Sequence, residues 1–166
     1  MAANPRSVGN LTENRNLNRI GALAGTKEFD TVAMTARVLI VEDEILTAME
    51  LEAVLSERGF EVVGIAQDAA SARALAAGCR IDLALVDVNL RDGRTGVGLG
   101  AELARDGCAK VIYLTAHPLP LHERPAGVVG LLTKPSDEKS VVSALDYALH
   151  RHENLLPPPP ALQLFH

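Results

Sequence analysis

The chain has 166 residues, 48% of them apolar, which is enough to bury one sizeable core and points to one domain with tails. Its formal net charge is -5, from 21 acidic and 16 basic residues, and no dense Lys/Arg run occurs, which argues against nucleic acid as a direct partner. No apolar run nears the roughly 18 residues that a membrane span needs, and the N-terminus lacks the apolar core of a secretory signal, so neither membrane insertion nor export is expected.

Aromatics are only 3% of the chain, so the core must be built from Ala, Leu, Val and Ile. Cys79 and Cys108 make no metal-like or disulfide-like pattern, and a cytoplasmic, reducing compartment is the simplest expectation. Residues 1–36 hold no hydrophobic period and read as a flexible N-terminal tail. Order begins at Arg37. Val38 to Val41 is an apolar strand, followed by Glu42-Asp43-Glu44. Residues 45–59 read as a helix, with Ile45, Ala48, Met49, Leu51, Glu52 and Leu55 recurring every three to four residues and Gly59 ending it.

A second strand spans residues 61–66. Asp68 is placed to cap an Ala-rich helix over 69–77 that stops at Gly78. The run from Ile81 to Leu90 is apolar on both faces, as in a central parallel strand covered by helices, yet it carries Asp87 at its carboxyl end. Residues 91–96 read as a Gly-rich loop and residues 97–106 as a helix. Residues 110–114 and 128–133 are the fourth and fifth strands. Between those two, Pro118, Pro120 and Pro125 oppose a regular helix, so one or two irregular turns are expected over 116–126. Ser136 or Asp137 caps a final helix that runs to about His152.

Beyond it, Pro157 to Pro160 favours an extended polyproline rod, and residues 153–166 read as a Pro-rich tail whose apolar tip, Leu162 to Phe165, is either an anchor, in cis or on another molecule, or a frayed end. Five strands alternating with helices predict an α/β fold with a doubly wound parallel sheet and right-handed crossovers.

The carboxyl ends of parallel strands share one edge, where ligands of such sheets bind. Glu42 and Asp43 end the first strand, Asp87 the third, Thr115 the fourth and Lys134 the fifth. Two carboxylates about 4 Å apart repel by about 4 kcal/mol at an effective dielectric near 20, so three of them need a cation. Hard oxygen ligands suit Mg2+ or Mn2+. A hydroxyl and an ammonium beside such a cation make an anion site, best matched to a phosphoryl group, with Asp87 as the nucleophile.

Taken in order, Val38-Leu39-Ile40-Val41-Glu42-Asp43-Glu44, Asp87 with Asn89, Leu114-Thr115-Ala116 and Lys134-Pro135 resemble the receiver domain of bacterial two-component response regulators, over residues 37–152. The resemblance implies a flavodoxin-like five-stranded sheet of order 2-1-3-4-5. It implies that Asp87 accepts phosphate from a histidine kinase or phosphotransfer protein. Asp43 would bind Mg2+ directly, Glu42 mostly through water, and Asn89 through its backbone carbonyl. Thr115 and Lys134 would hold the phosphoryl group, and Pro135 would follow a cis peptide.

Three departures accompany it. Leu131 stands where the family carries an aromatic switch residue, the usual proline in the loop after the acceptor is missing, and a Pro-rich segment replaces the fourth helix. Signalling by rearrangement of that segment, rather than by an aromatic rotamer, is the expectation. With only one helix and a tail after Lys134, no DNA-binding output domain is expected, and the protein would act through protein contacts. A homodimer through the strand 4–5 and last-helix face, or through the C-terminal tail, is one such contact.

Two other functions compete. A phosphohydrolase using an aspartyl nucleophile would carry a second Asp where Asn89 stands, so only slow self-dephosphorylation is expected of this chain. A receiver-like adaptor that works without phosphorylation would not need the full acidic set. The five histidines show no metal-ligand spacing. Tyr113 reads as core or site rim. Gly93, Gly96, Gly98 and Gly100 lack the Lys-Ser/Thr ending of a phosphate loop and read as a flexible turn.

Overall fold

A computed structural model describes residues 35–105, 109–117, 119–120, 124–153 and 156–165. All but the last two residues of the expected N-terminal tail, and Cys108, lie outside the described residues. Six strands form one sheet in the order β2-β1-β3-β4-β5-β6. They are β1 (Arg37–Val41), β2 (Glu61–Ala66), β3 (Leu83–Asp87), β4 (Lys110–Thr115), β5 (Val128–Thr133) and β6 (Leu162–Leu164). The first five pair in parallel, and β6 joins β5 antiparallel. Four helices accompany them: α1 (Ile45–Glu57), α2 (Ala69–Gly78), α3 (Gly96–Arg105) and α4 (Glu138–His150).

Successive strand residues point to opposite faces, and this alternation divides the core in two. Leu39, Val41, Ala84, Val86, Val111 and Tyr113 pack beneath α2 and α3. Val38, Ile40, Leu83, Leu85, Ile112 and Leu114 pack beneath α1 and α4. Strand β3 is therefore buried along its whole length, as its unbroken apolar run requires.

Helix ends follow their local chemistry. The Asp68 carboxylate accepts the Ser71 N–H at 2.8 Å to start α2. At α4 the cap is Asp137, which accepts the Ser140 N–H at 2.8 Å, while the Ser136 hydroxyl turns back to the Thr133 carbonyl. α1 closes in a Schellman arrangement: Gly59, at φ 84°, donates to Ser56, and Phe60 donates to Leu55.

The structure corrects three sequence expectations. The sheet has six strands rather than five, because the apolar tip returns to the sheet in cis. The proline run does not continue as a rod: the Leu162 N–H donates to the Pro159 carbonyl and turns the chain back. Gly96, Gly98 and Gly100 belong to α3 rather than to a flexible turn, and a Cβ at Gly100 would collide with the Tyr113 ring. Beyond these, Ile45 and Met49 do not face the core. They are 49% and 55% exposed, and the inner face of α1 rests on Ala48 and Leu55.

The expectation for residues 116–126 holds among the described residues, where no helix forms between β4 and β5. The face a helix would cover there is filled by Leu119 and by Phe165 from the end of the chain, both buried in the cluster that contains Val111, Tyr113, Val128 and Leu131. No described helix is long and apolar enough to cross a membrane.

Candidate functional site

Strand register sets the site. Val41 pairs with Val86, Asp87 with Leu114, and Thr115 with Thr133, so the four central strands end at one level. Three of them, β1, β3 and β5, are then extended by one backbone bond each. The Glu42 N–H donates to Ala66, the Val88 N–H to Leu114, and the Lys134 N–H to Thr115. These bonds carry Glu42, Asp87 and Lys134 to the same edge.

Their side chains converge there. The Lys134 Nζ lies 2.5 Å from Glu42 Oε2 and 2.5 Å from Asp87 Oδ2. One carboxylate oxygen from each of Glu42, Asp43 and Asp87 falls within a group whose members are all within 4.8 Å of one another. Glu42 is buried, at 1% exposure, while Asp43 is half-buried. The Asn89 N–H donates to Asp87 Oδ1 at 2.9 Å, and the Glu44 N–H to Glu42 Oε1 at 3.3 Å. Asp87 is thus held at one oxygen by the loop that follows it and at the other by Lys134.

The electrostatics follow from this crowding. Burial raises the Glu42 carboxyl above its ordinary value, and the bond and charge of Lys134 offset this only in part. Burial alone would lower the Lys134 ammonium, but its bonds to Asp87 and Glu42 outweigh burial and raise it. Three carboxylates against one ammonium leave the cluster anionic. An all-oxygen donor set at this spacing fits a hard divalent cation.

Close packing of α3 fixes the acceptor strand. A Cβ at Gly96 would strike the Asp87 carbonyl, so only glycine lets the helix start this near the strand end. Before it, Leu90 and Gly93 exchange two backbone bonds at 2.8 Å, with Gly93 at φ 104°, which makes a tight turn after the acceptor strand.

Thr115 is buried, and its hydroxyl donates to the His117 carbonyl at 2.9 Å while accepting the His117 N–H at 3.2 Å. A cavity of about 220 Å³ lies beside it, lined by Val88, Asn89, Arg94, Thr115, His117 and Pro120. The Lys134–Pro135 peptide is cis. All six residues expected at the site, Glu42, Asp43, Asp87, Asn89, Thr115 and Lys134, therefore lie at the carboxyl edge of the sheet.

A family model described as the response regulator receiver domain matches residues 38–146, more than half of the chain. The chain belongs to the response regulator receiver domain family. It is similar to the transcriptional regulatory protein PdtaR of Mycobacterium tuberculosis, 35% identical over 126 residues that cover 74% of this chain and 61% of PdtaR. Among solved structures it is similar to the response regulator PhyR from Brucella abortus, with a TM-score of 0.62, 33% identity, and coverage of 72% of this chain and 50% of that one. The chemotaxis response regulator CheY4 of Vibrio cholerae gives a TM-score of 0.62 at 28% identity, covering 69% of this chain and 99% of that one. The receiver domain thus spans under two thirds of PdtaR and half of the Brucella PhyR chain.

This receiver domain carries features that sequence reasoning missed. Arg94 and His117 line the cavity beside Thr115, and neither has a motif of its own. Leu131, at the family's aromatic position, is buried and pairs with Tyr113 on one side and Gln163 on the other. The aromatic ring near this point comes instead from Phe165, whose centroid is 6.1 Å from that of Tyr113. Tyr113 is a core residue: its hydroxyl donates to the Val97 carbonyl at 2.7 Å, and burial pushes its phenol up.

Proposed function

We propose that this receiver domain is a phosphorylation-controlled switch in which Asp87 accepts a phosphoryl group from a phosphohistidine. The observation that carries the reading is Lys134 bridging Asp87 and Glu42 at 2.5 Å, with Asp43 in the same carboxylate group. An Asp87 carboxylate oxygen forms a bond to phosphorus as the phosphorus–nitrogen bond of the donor breaks. The electron pair stays on the imidazole nitrogen, which takes a proton from solvent.

This chain's own groups then hold the product. Lys134 has three N–H donors and spends two on carboxylates, which leaves one for a phosphoryl oxygen. The Asn89 N–H keeps Asp87 oriented, and the Thr115 hydroxyl stands beside the cavity that receives the group. Glu42, Asp43, Asp87 and the Asn89 carbonyl would hold Mg2+. When bound, the cation neutralises charge on the transferring oxygens.

The same edge offers a surface for the phosphodonor. Ile45, Leu46 and Met49 at the start of α1 are exposed directly after Asp43 and Glu44. Next to them a groove of about 410 Å³ runs between α1 and the loop after β5, with Thr47, Leu51, Lys134, Pro135 and Val141 among its walls. A helix of a histidine kinase or phosphotransfer protein, apolar on one side, fits this combination.

Incubation with Mg2+ and a small acyl phosphate, followed by intact mass, tests the reading. The expected result is a gain of one phosphoryl group that is lost on chelation of the metal and absent in Asp87→Asn. Rapid catalytic turnover of a phosphomonoester would favour a hydrolase instead.

A further inference from the structure

Strand β6 is an unusual closing element. It has three residues, pairing Leu164 with Gly130, Gln163 with Leu131 and Leu162 with Leu132, and the Phe165 N–H adds a bond to the Val129 carbonyl at 3.0 Å. Gly130 makes the approach possible, because a Cβ there would run into the Gln163 carbonyl. Leu162 and Phe165 are buried on opposite faces of the sheet, Leu162 with the α1/α4 core and Phe165 with the α2/α3 core. The segment therefore grips the β5 edge from both sides.

Its grip extends to Leu119 and Arg124, which lie in the segment after Thr115. The Phe165 ring lies beneath the Arg124 guanidinium, 5.4 Å from centroid to Cζ. Arg124 also donates to the Leu119 carbonyl at 3.5 Å, and its buried Nε finds no hydrogen-bond partner among the described residues. Leu119 packs in the same cluster as Phe165 and stands two residues from His117, which Thr115 holds by two hydrogen bonds. The Thr115 hydroxyl has one proton. If that proton is given to a phosphoryl oxygen on Asp87, the bond to the His117 carbonyl is lost.

We propose that the β5 edge is an interaction surface for an extended strand of pattern Leu-x-Leu-Phe. The chain's own Leu162–Phe165 occupies it in the resting state, and phosphorylation of Asp87 frees it for the same segment of a second copy. This rests on Asp87 being the phosphoacceptor. The second copy is the fitting occupant because a segment complementary to this edge in cis is complementary in trans, and the turn at Pro159 is the hinge through which it swings out. A three-residue edge strand is also among the cheapest elements to open.

The test uses the full chain, backbone amide exchange, and a labelled peptide of residues 157–166 added in trans. After acyl phosphate and Mg2+ treatment, with phosphorylation confirmed by intact mass, exchange at residues 162–165 is expected to rise about tenfold, and the peptide to bind. Phe165→Ala is expected to bind the peptide without phosphorylation, whereas Gln163→Ala, which alters an exposed side chain and leaves the pairing backbone intact, behaves as the parent. A confirmed mass gain with unchanged exchange and no peptide binding would overturn the releasable strand and leave the phosphoacceptor standing. No mass gain would overturn the phosphoacceptor and the coupling with it. Failure of Phe165→Ala to take up the peptide would overturn the β5 edge as the docking surface.

Discussion

The two faces of strands β4 and β5 are closed in different ways. On one side α4 lays Val141, Ala144, Leu145 and Ala148 along the sheet, a continuous helical stripe started by the Asp137 cap. On the other side α3 covers part of the surface through Leu99, Leu103 and Ala104, no helix stands between β4 and β5 among the described residues, and Leu119, Phe165 and the Arg124 guanidinium fill the rest. The first is a cooperative element whose residues are fixed together. The second is completed by single side chains on separate segments, one of them the four-residue tip that follows a proline turn. The lesson is that the same apolar demand from a sheet can be met rigidly or in a form that opens locally, and this domain places the second kind next to Thr115.

Truncating one side chain in each cover separates the two kinds of closure. Leu145→Ala is expected to lower the global unfolding free energy by about 2–5 kcal/mol in chemical denaturation, because α4 cannot close over the cavity. Phe165→Ala is expected to cost less, because its segment can detach without unfolding the rest, and its loss should show as exchange confined to β6 and β5. Equal global losses in the two variants would mean that both covers belong to one cooperative unit.

A smaller effect is expected at the acidic edge. Asp87→Asn removes one of three mutually repelling carboxylates, so without divalent metal the variant should melt higher, by roughly 1 kcal/mol. Added Mg2+ should narrow the gap by stabilising the parent. A lower melting temperature in the metal-free variant would show that the ion pair with Lys134 outweighs the repulsion.

The smallest effect belongs to the rigid cover's own cap. The Asp137 carboxylate accepts the Ser140 backbone N–H and hydroxyl, which lowers its pKa in the folded chain. A lowered folded value means stabilisation that is present above the free value of 3.8 and lost as pH falls through the folded one. Asp137→Ala should therefore melt slightly lower than the parent at neutral pH, and the two should converge in acid.

Much of this was legible in the sequence because it depends on local periodicity and on where strands end. The β3 run with Asp87, the Glu42-Asp43 pair after β1 and Lys134 after β5 each sit at the end of an apolar segment, and parallel pairing brings such ends together without further information. Three prolines argued against a helix over residues 116–126, and none forms among the described residues there. What fills the gap was not legible. Nothing near Tyr113 in the chain signals Phe165, and a three-residue strand is too short to show an alternating pattern. Gly130 looked like an ordinary strand residue, though it marks the point where β6 comes close. The outward turn of Ile45 and Met49 was hidden because an apolar residue at helical spacing reads as core whichever way the helix is rotated.

In the proposed switch, one carboxylate among several, the one gripped by Lys134, takes the phosphoryl group. Borohydride reduction of the phosphorylated chain, followed by peptide mapping, tests it most directly, because it converts an aspartyl phosphate to homoserine at the modified position. The expected result is homoserine at position 87 alone. Homoserine at position 43, or a phosphorylated chain with no reducible aspartyl group, would contradict it.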